Sequence, residues 1–351
     1  MRLGLAGREV HLGYSTNVHA GDPVPVAARV RALLGVPRLG LGLWLPSGAA
    51  RALRSSPGGV ARLRERLEAH GLYVFTLNGF PFGDFHAERV KESVFCPDWT
   101  DPARLAYTLD LAHIAIELCD GEPTISTLPL GRRGVDVAAC ARTLRTLAQR
   151  LDELAQRSGR GVTVCLEPEP GCALESIAEA AAFLRDHRRL ALCYDACHAA
   201  VAFEIDDGLP ADAPLGKVQI SAAIEVRNPS DATARDALAA FDEPRFLHQV
   251  RTARGDAALD LPEALARLPR DAPWRVHFHV PIHRDAAPPL GTTREALRRL
   301  LARLAVAGPT HFEVETYTWT VLPPADRPRG DEALAQGIAA EIRWARAALG
   351  A

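Results

Sequence analysis

Several stretches of this chain end an apolar run on acids or histidines. "VTVCLEPEPG" (162–171) closes on Glu167 and Glu169, "LALCYDACH" (190–198) on Asp195 and His198, and "HFEVETYT" (311–318) on Glu313 and Glu315. A buried carboxylate is costly unless it is paired, protonated or bound to a metal. Side chains alternate along an extended segment, so Glu167 shares a face with Glu169, Cys193 with Asp195, and Glu313 with Glu315. Carboxylates from different strands converging with an aspartate and a histidine make an oxygen and nitrogen ligand set. Such a set suits Mn²⁺, Mg²⁺, Co²⁺ or Zn²⁺ and needs no thiolate. In "RVHFHVPI" (275–282), His277 and His279 also share a face, as a ligand pair or as a packed structural pair.

The elements that must position these residues alternate through nearly the whole chain. Strand candidates are 11–17, 39–45, 72–80, 124–130, 162–169, 190–198, 217–221, 275–282 and 311–319. Amphipathic helices are predicted between them. At 101–119 Asp101 caps and Pro102 takes the first turn, and at 135–157 Gly159 supplies the stop. At 293–307 Gly308 and Pro309 end the pattern, and 331–349 places Leu334, Ile338, Ile342, Ala345 and Leu349 on one face. This alternation predicts an α/β fold, a (β/α)₈ TIM barrel of one domain over 1–351. No G-x-G-x-x-G follows a strand, which disfavours an open nucleotide-binding sheet. The segment 222–274, rich in Asp, Ala, Arg and Pro, reads as a long excursion after the seventh strand that returns through an accessory strand at about 275–282.

Barrel sites form where the strands end. Those ends carry Asn17, His19, Asn78, Asp84, His86, Gln219 and Ser221 besides the acids above, so Asn17, His19, Asn78, His86, Glu169 and Gln219 are candidate substrate contacts. In "FTLNGFPFGDF" (75–85), Phe75, Phe80 and Phe82 read as packing beneath the loop, with Phe85 exposed.

Composition narrows the rest. The net charge is −2, with 48% hydrophobic and 24% charged residues, and the only lysines are Lys91 and Lys217. No basic stripe invites nucleic acid. No apolar run is long enough to cross a membrane, and seven cysteines without a C-x-x-C read as reduced, buried thiols. A cytoplasmic protein is expected, acting on a small-molecule metabolite without membrane insertion, as a monomer or a homo-oligomer.

On these residues the chain resembles the xylose-isomerase-like barrel superfamily, which includes sugar and sugar-phosphate isomerases and epimerases and the endonuclease IV enzymes. The resemblance implies that Glu167 in "CLEPEPG" binds metal, as does Asp195 in "CYDACHA" with His198 as ligand or substrate contact. It makes Glu315 in "EVETYT" the second metal-binding glutamate. Superfamily enzymes place a histidine ligand on the seventh strand. Here "KVQISAA" has Gln219, so the metal site is either incomplete or completed elsewhere, by His279, His277 or His248. More narrowly, "YSTNVHAGD" (14–22), "GLYVFTLNGFPFGDFHAERVKESVFCPDW" (71–99), "STLPLG" (126–131), "FDEPRFLHQV" (241–250) and "VETYTWTVLP" (314–323) are similar to the EboE family of metabolite-traffic proteins. That likeness implies processing or moving a small precursor.

Two functions follow as expectations. One is a metal-dependent isomerase or epimerase in which Glu167 and Glu315 exchange protons beside a carbonyl. Its metal would be held by Glu167, Asp195, His198, Glu315 and His279, and its site walled by Trp44, Phe80, Phe82 and Trp319. His19, His86 and His198 would orient hydroxyls. The other is a non-catalytic binding or carrier barrel in a metabolite-export pathway. An abasic-DNA endonuclease is disfavoured by too few histidines and a near-neutral charge.

Overall fold

The computed structural model describes residues 1–206, 209–210 and 212–351. Strand β1 (Arg2–Leu5) folds back antiparallel on β2 (Arg8–Ser15). From β2 the chain runs through β3 (Leu39–Trp44), β4 (Leu72–Asn78), β5 (Cys119–Thr127), β6 (Thr163–Leu166), β7 (Leu190–Asp195) and β8 (Leu215–Ile220), each parallel to its neighbour. Five short strands follow: β9 (Ile224–Val226), β10 (Val250–Thr252), β11 (Ala257–Ala258), β12 (Trp274–Val276) and β13 (Gly291–Thr292). They pair antiparallel in a separate sheet of order β11-β10-β12-β9-β13. Strand β14 (His311–Val314) then lies parallel to both β8 and β2 and closes the eight-stranded barrel.

Helices cover the barrel outside, and their ends follow local rules. Asp101 accepts a hydrogen bond from the Ala103 amide at the start of helix Pro102–Leu118, and Asp136 accepts from Ala139 in helix Val137–Ser158. The latter stops at Gly159, whose φ of 71° is open to glycine at little cost. Leu144, Leu147, Leu151 and Leu154 bury one stripe of that helix against the barrel. No helix among the described residues is long and apolar enough to cross a membrane.

Strand bounds differ from the sequence expectation where polarity hides them. Strand β5 begins at Cys119, ahead of the apolar run, because its ladder with β4 slips between Val74 and Thr76 and absorbs the polar "DGEP". Strands β6 and β14 are shorter than expected, so Glu167, Glu169 and Glu315 lie just past the last ladder residue.

Inside the barrel, polar residues stack in layers. At the base, His311 Nδ1 is 2.9 Å from the Thr124 hydroxyl, and His11 stacks on Phe75 with ring centroids 5.3 Å apart. Above it, Lys217 Nζ donates to Glu313 Oε2 at 2.6 Å and to Asn78 Oδ1 at 2.8 Å. Asn78 Nδ2 donates to Glu313 Oε1 at 2.7 Å, so the wholly buried ion pair is closed on both sides. Glycine at position 42 makes the room, since a Cβ there would lie 1.5 Å from Glu313 Oε1.

Candidate metal centre and active site

Glu167 and Glu169 follow β6, Asp195 ends β7, and Glu315 follows β14, so three of the barrel strands deliver four acids to one end of the barrel. All four are buried, and among the described residues none forms an ion pair with a lysine or arginine. Oxygens of Glu167, Asp195 and Glu315 lie within 4.8 Å of one another. Burial pushes the Glu167 carboxyl up to about 8 and Glu169 to about 7, and holds Glu315 well above the carboxylate range. Asp195 Oδ1 is occupied by the His198 amide at 2.8 Å and the Ser221 hydroxyl at 2.9 Å. Glu315 Oε1 accepts from Asn17 Nδ2 at 2.7 Å. Yet Asn17 Oδ1, Glu169 Oε2, Asp195 Oδ2 and Glu315 Oε2 have no partner at all. Four unsatisfied buried oxygens in one place call for a cation.

The histidines make the same case from the other side. His198 comes from the start of helix Ala196–Val201, while His277 and His279 follow β12, in the excursion between β8 and β14. His198 Nε2 lies 3.0 Å from His277 Nε2, which lies 3.1 Å from His279 Nε2. Each ring has its other nitrogen against an oxygen: His198 on the Pro168 carbonyl at 2.9 Å, His279 on the Glu315 carbonyl at 2.8 Å, and His277 on Gln249 Oε1 at 2.6 Å. The Gln249 amide is oriented by its own donation to the Pro170 carbonyl at 3.1 Å and to Glu169 Oε1 at 3.3 Å. That network assigns the Nδ1–H tautomer to all three rings and points three Nε2 lone pairs at each other.

One proton does not resolve this. Burial opposes charge on His198, but Asp195, Glu169 and Glu167 outweigh it and raise its pKa, so His198 can donate to His277. Burial holds His277 well below the usual range and His279 at about 4, leaving their mutual contact without a hydrogen. Two nitrogens bound to one ion at ordinary distances lie about 3.0–3.4 Å apart, which the observed spacing matches. The groups Asp195–His198–His279 and Glu169–His198–His277 each offer donor atoms within 4.8 Å. The donors present therefore fit a divalent cation.

The residues expected at the site are not all there. Glu167, Glu169, His198, His277, His279, Glu315 and Asn17 line a cavity of about 40 Å³. His19 instead meets the Tyr14 hydroxyl at 3.0 Å, Asn78 lies in the layer below with Glu313, and His86 reaches the Asn17 carbonyl at 2.8 Å from outside. Gln219 is buried beneath, accepting the Cys193 thiol at 3.2 Å. His248 is engaged by Glu243 and the His277 carbonyl and stacks on Phe278, so it brings no nitrogen to the cavity. Phe85, expected to be exposed, is only 5% so. It packs between Phe246 and Tyr317, with centroids 4.7 and 5.0 Å away, and with Phe80, Pro81 and Val94 it roofs the acids. Phe82 packs on Tyr107 and Trp319 on the last helix, away from the cavity. Gln249 and Tyr317 lie within stretches quoted for their family likeness, but no residue pattern singles them out, and their roles become visible only through their neighbours in space.

Comparison with curated proteins gives no match. Among solved structures, the chain is similar to a D-tagatose 3-epimerase-like protein at 14% identity, with a TM-score of 0.51 over 95% of this chain and 97% of the other. It is similar to a xylose isomerase domain protein from Planctomyces limnophilus at 16% identity, with a TM-score of 0.50 over 97% of each. Such identities speak to the fold alone. The model of the xylose isomerase-like TIM barrel family matches residues 40–347, and with the closed parallel barrel this shows that the chain belongs to that family.

Proposed function

We propose that this barrel is a divalent-metal-dependent isomerase or epimerase of a small hydroxylated metabolite. The observation that supports it is a buried centre in which acids and imidazoles converge with unpartnered oxygens and, among the described residues, no lysine or arginine paired to them. Glu167, Asp195, Glu315, His198 and His279 would hold the ion, with His277 and Glu169 as further donors. When bound, the ion supplies positive charge to an oxygen that becomes negative during proton transfer. The chain's own acids would move the proton. Glu167, which lines the cavity, would take a proton from a carbon beside a carbonyl and return it. Glu315 is held through Oε1 by Asn17, which leaves Oε2 free to face the substrate. The aromatic roof keeps bulk water from both.

A carrier without chemistry is the second reading, and one observation favours it: Gln219, where superfamily enzymes place a histidine ligand, is buried beneath the cavity against the Cys193 thiol, so that strand offers the centre no nitrogen. The narrower likeness to metabolite-traffic proteins of the EboE family fits either reading. Elemental analysis of purified protein, with Glu167→Gln and Asp195→Asn beside it, tests the metal. Incubation with hydroxyketones and ketoses in D₂O then tests the chemistry. Stoichiometric metal lost in both variants, with deuterium entering beside the carbonyl, is the expected result. Metal without exchange would leave the carrier, and no metal would remove the enzyme reading.

A further inference from the structure

Helix Gly330–Ala348 packs a face of Leu334, Ala335, Ile338, Ile342 and Ala345 inward, and two residues on that side break its pattern. Gly337 sits in mid-helix, where glycine weakens a helix, and Glu341 buries a carboxyl group that forms no ion pair among the described residues. Both serve Trp319. A Cβ at Gly337 would lie 2.7 Å from Trp319 Cη2, so the indole rests where a side chain would stand. Its Nε1–H donates to Glu341 Oε2 at 3.1 Å, while His283 stacks over the ring at 6.0 Å.

The other oxygen reaches toward the metal centre. Glu341 Oε1 accepts the Thr316 hydroxyl at 2.6 Å and the Ile282 amide at 3.1 Å. Thr316 adjoins Glu315, and Ile282 lies three residues beyond His279. The Thr318 hydroxyl donates to the His279 carbonyl at 2.6 Å, and His279 Nδ1 to the Glu315 carbonyl at 2.8 Å. A carboxylate, which only accepts, is the side chain that can take three donors at once; glutamine would turn its own N–H groups against one of them. Resting on the metal reading above, we propose that Glu341 is a positioning residue, stapling the turn 315–319 to the segment 277–283 so that Glu315 and His279 meet one ion.

The test is Zn²⁺ titration, alongside thermal unfolding without metal, of the wild type, Glu341→Leu, Glu341→Gln and Thr316→Val. Glu341→Leu leaves the Thr316 hydroxyl, the Ile282 amide and the Trp319 Nε1–H buried without an acceptor, so it should unfold earlier than the wild type. Its Zn²⁺ affinity should fall 10- to 100-fold, as when other outer-shell partners are removed. Glu341→Gln and Thr316→Val, each losing part of the network, should fall less. A folded Glu341→Leu that binds Zn²⁺ like the wild type overturns the inference and leaves the metal reading intact. Should Glu341→Leu fail to fold, unchanged affinity in both milder variants overturns it equally. A wild type that binds no Zn²⁺ overturns both.

Discussion

Glu313 and Glu315 stand two residues apart where the last barrel strand ends, and their surroundings differ in kind. Glu313 has Lys217 on one oxygen and Asn78 on the other, and Lys217 is itself shared with Asn78, whose second acceptor bond comes from Ser126 at 2.8 Å. Glu315 has Asn17 on one oxygen and nothing on the other, with Glu167, Glu169 and Asp195 close by. Burial alone therefore does not mark a site. The lower layer is an internal salt whose charges cancel; the upper is a cluster of acids with no lysine or arginine paired to it among the described residues, and burial makes its glutamates hold their protons.

Breaking the lower layer should have the largest effect. Lys217→Met leaves Glu313 buried without its cation, and denaturant unfolding should show a loss of about 3–5 kcal/mol. Replacing both partners, as Lys217→Met with Glu313→Leu, should recover much of that loss. The upper layer should respond in the opposite way. Without metal, Glu315→Gln removes one buried acid whose Oε2 has no partner and should cost little or add stability. With Zn²⁺ at about 100 times its Kd, the wild type should gain about 2.7 kcal/mol, and Glu167→Gln and Asp195→Asn almost none.

The base of the barrel offers the smallest effect at working pH. Burial, with His11 and Lys217 nearby, lowers the His311 pKa to about 3 against an ordinary value near 6.5. Below pH 6.5 the unfolded chain binds a proton that the folded chain refuses, so stability falls as pH drops toward 3. The slope from this group is up to about 1.4 kcal/mol per pH unit, and His311→Asn should flatten it in a pH series of unfolding curves.

Much of this was legible in the sequence. The apolar runs that end on Glu167, Asp195 and Glu315 marked the barrel and its open end, because period-two strands and period-3.6 helices leave different traces. The five strands between β8 and β14 were largely illegible, being two or three residues long in a polar stretch. His277 and His279 could be named but not placed, since only the fold of that excursion carries them across the mouth. Phe85 was misjudged because a loop aromatic has no period, and its burial depends on Phe246, far along the chain. Glu341 was passed over for a related reason: on a helix read by its apolar stripe, one acid looks like noise until its three donors are seen.

Gly42 has a consequence for how such a chain can change over generations. A side chain there is barred while Glu313 remains, for its first carbon would coincide with the carboxylate. Glu313 cannot leave first without stranding Lys217, nor Lys217 without stranding Glu313. One-step paths out of this arrangement are therefore closed, and descendants can revise the mouth of the barrel residue by residue while inheriting its middle as a single unit.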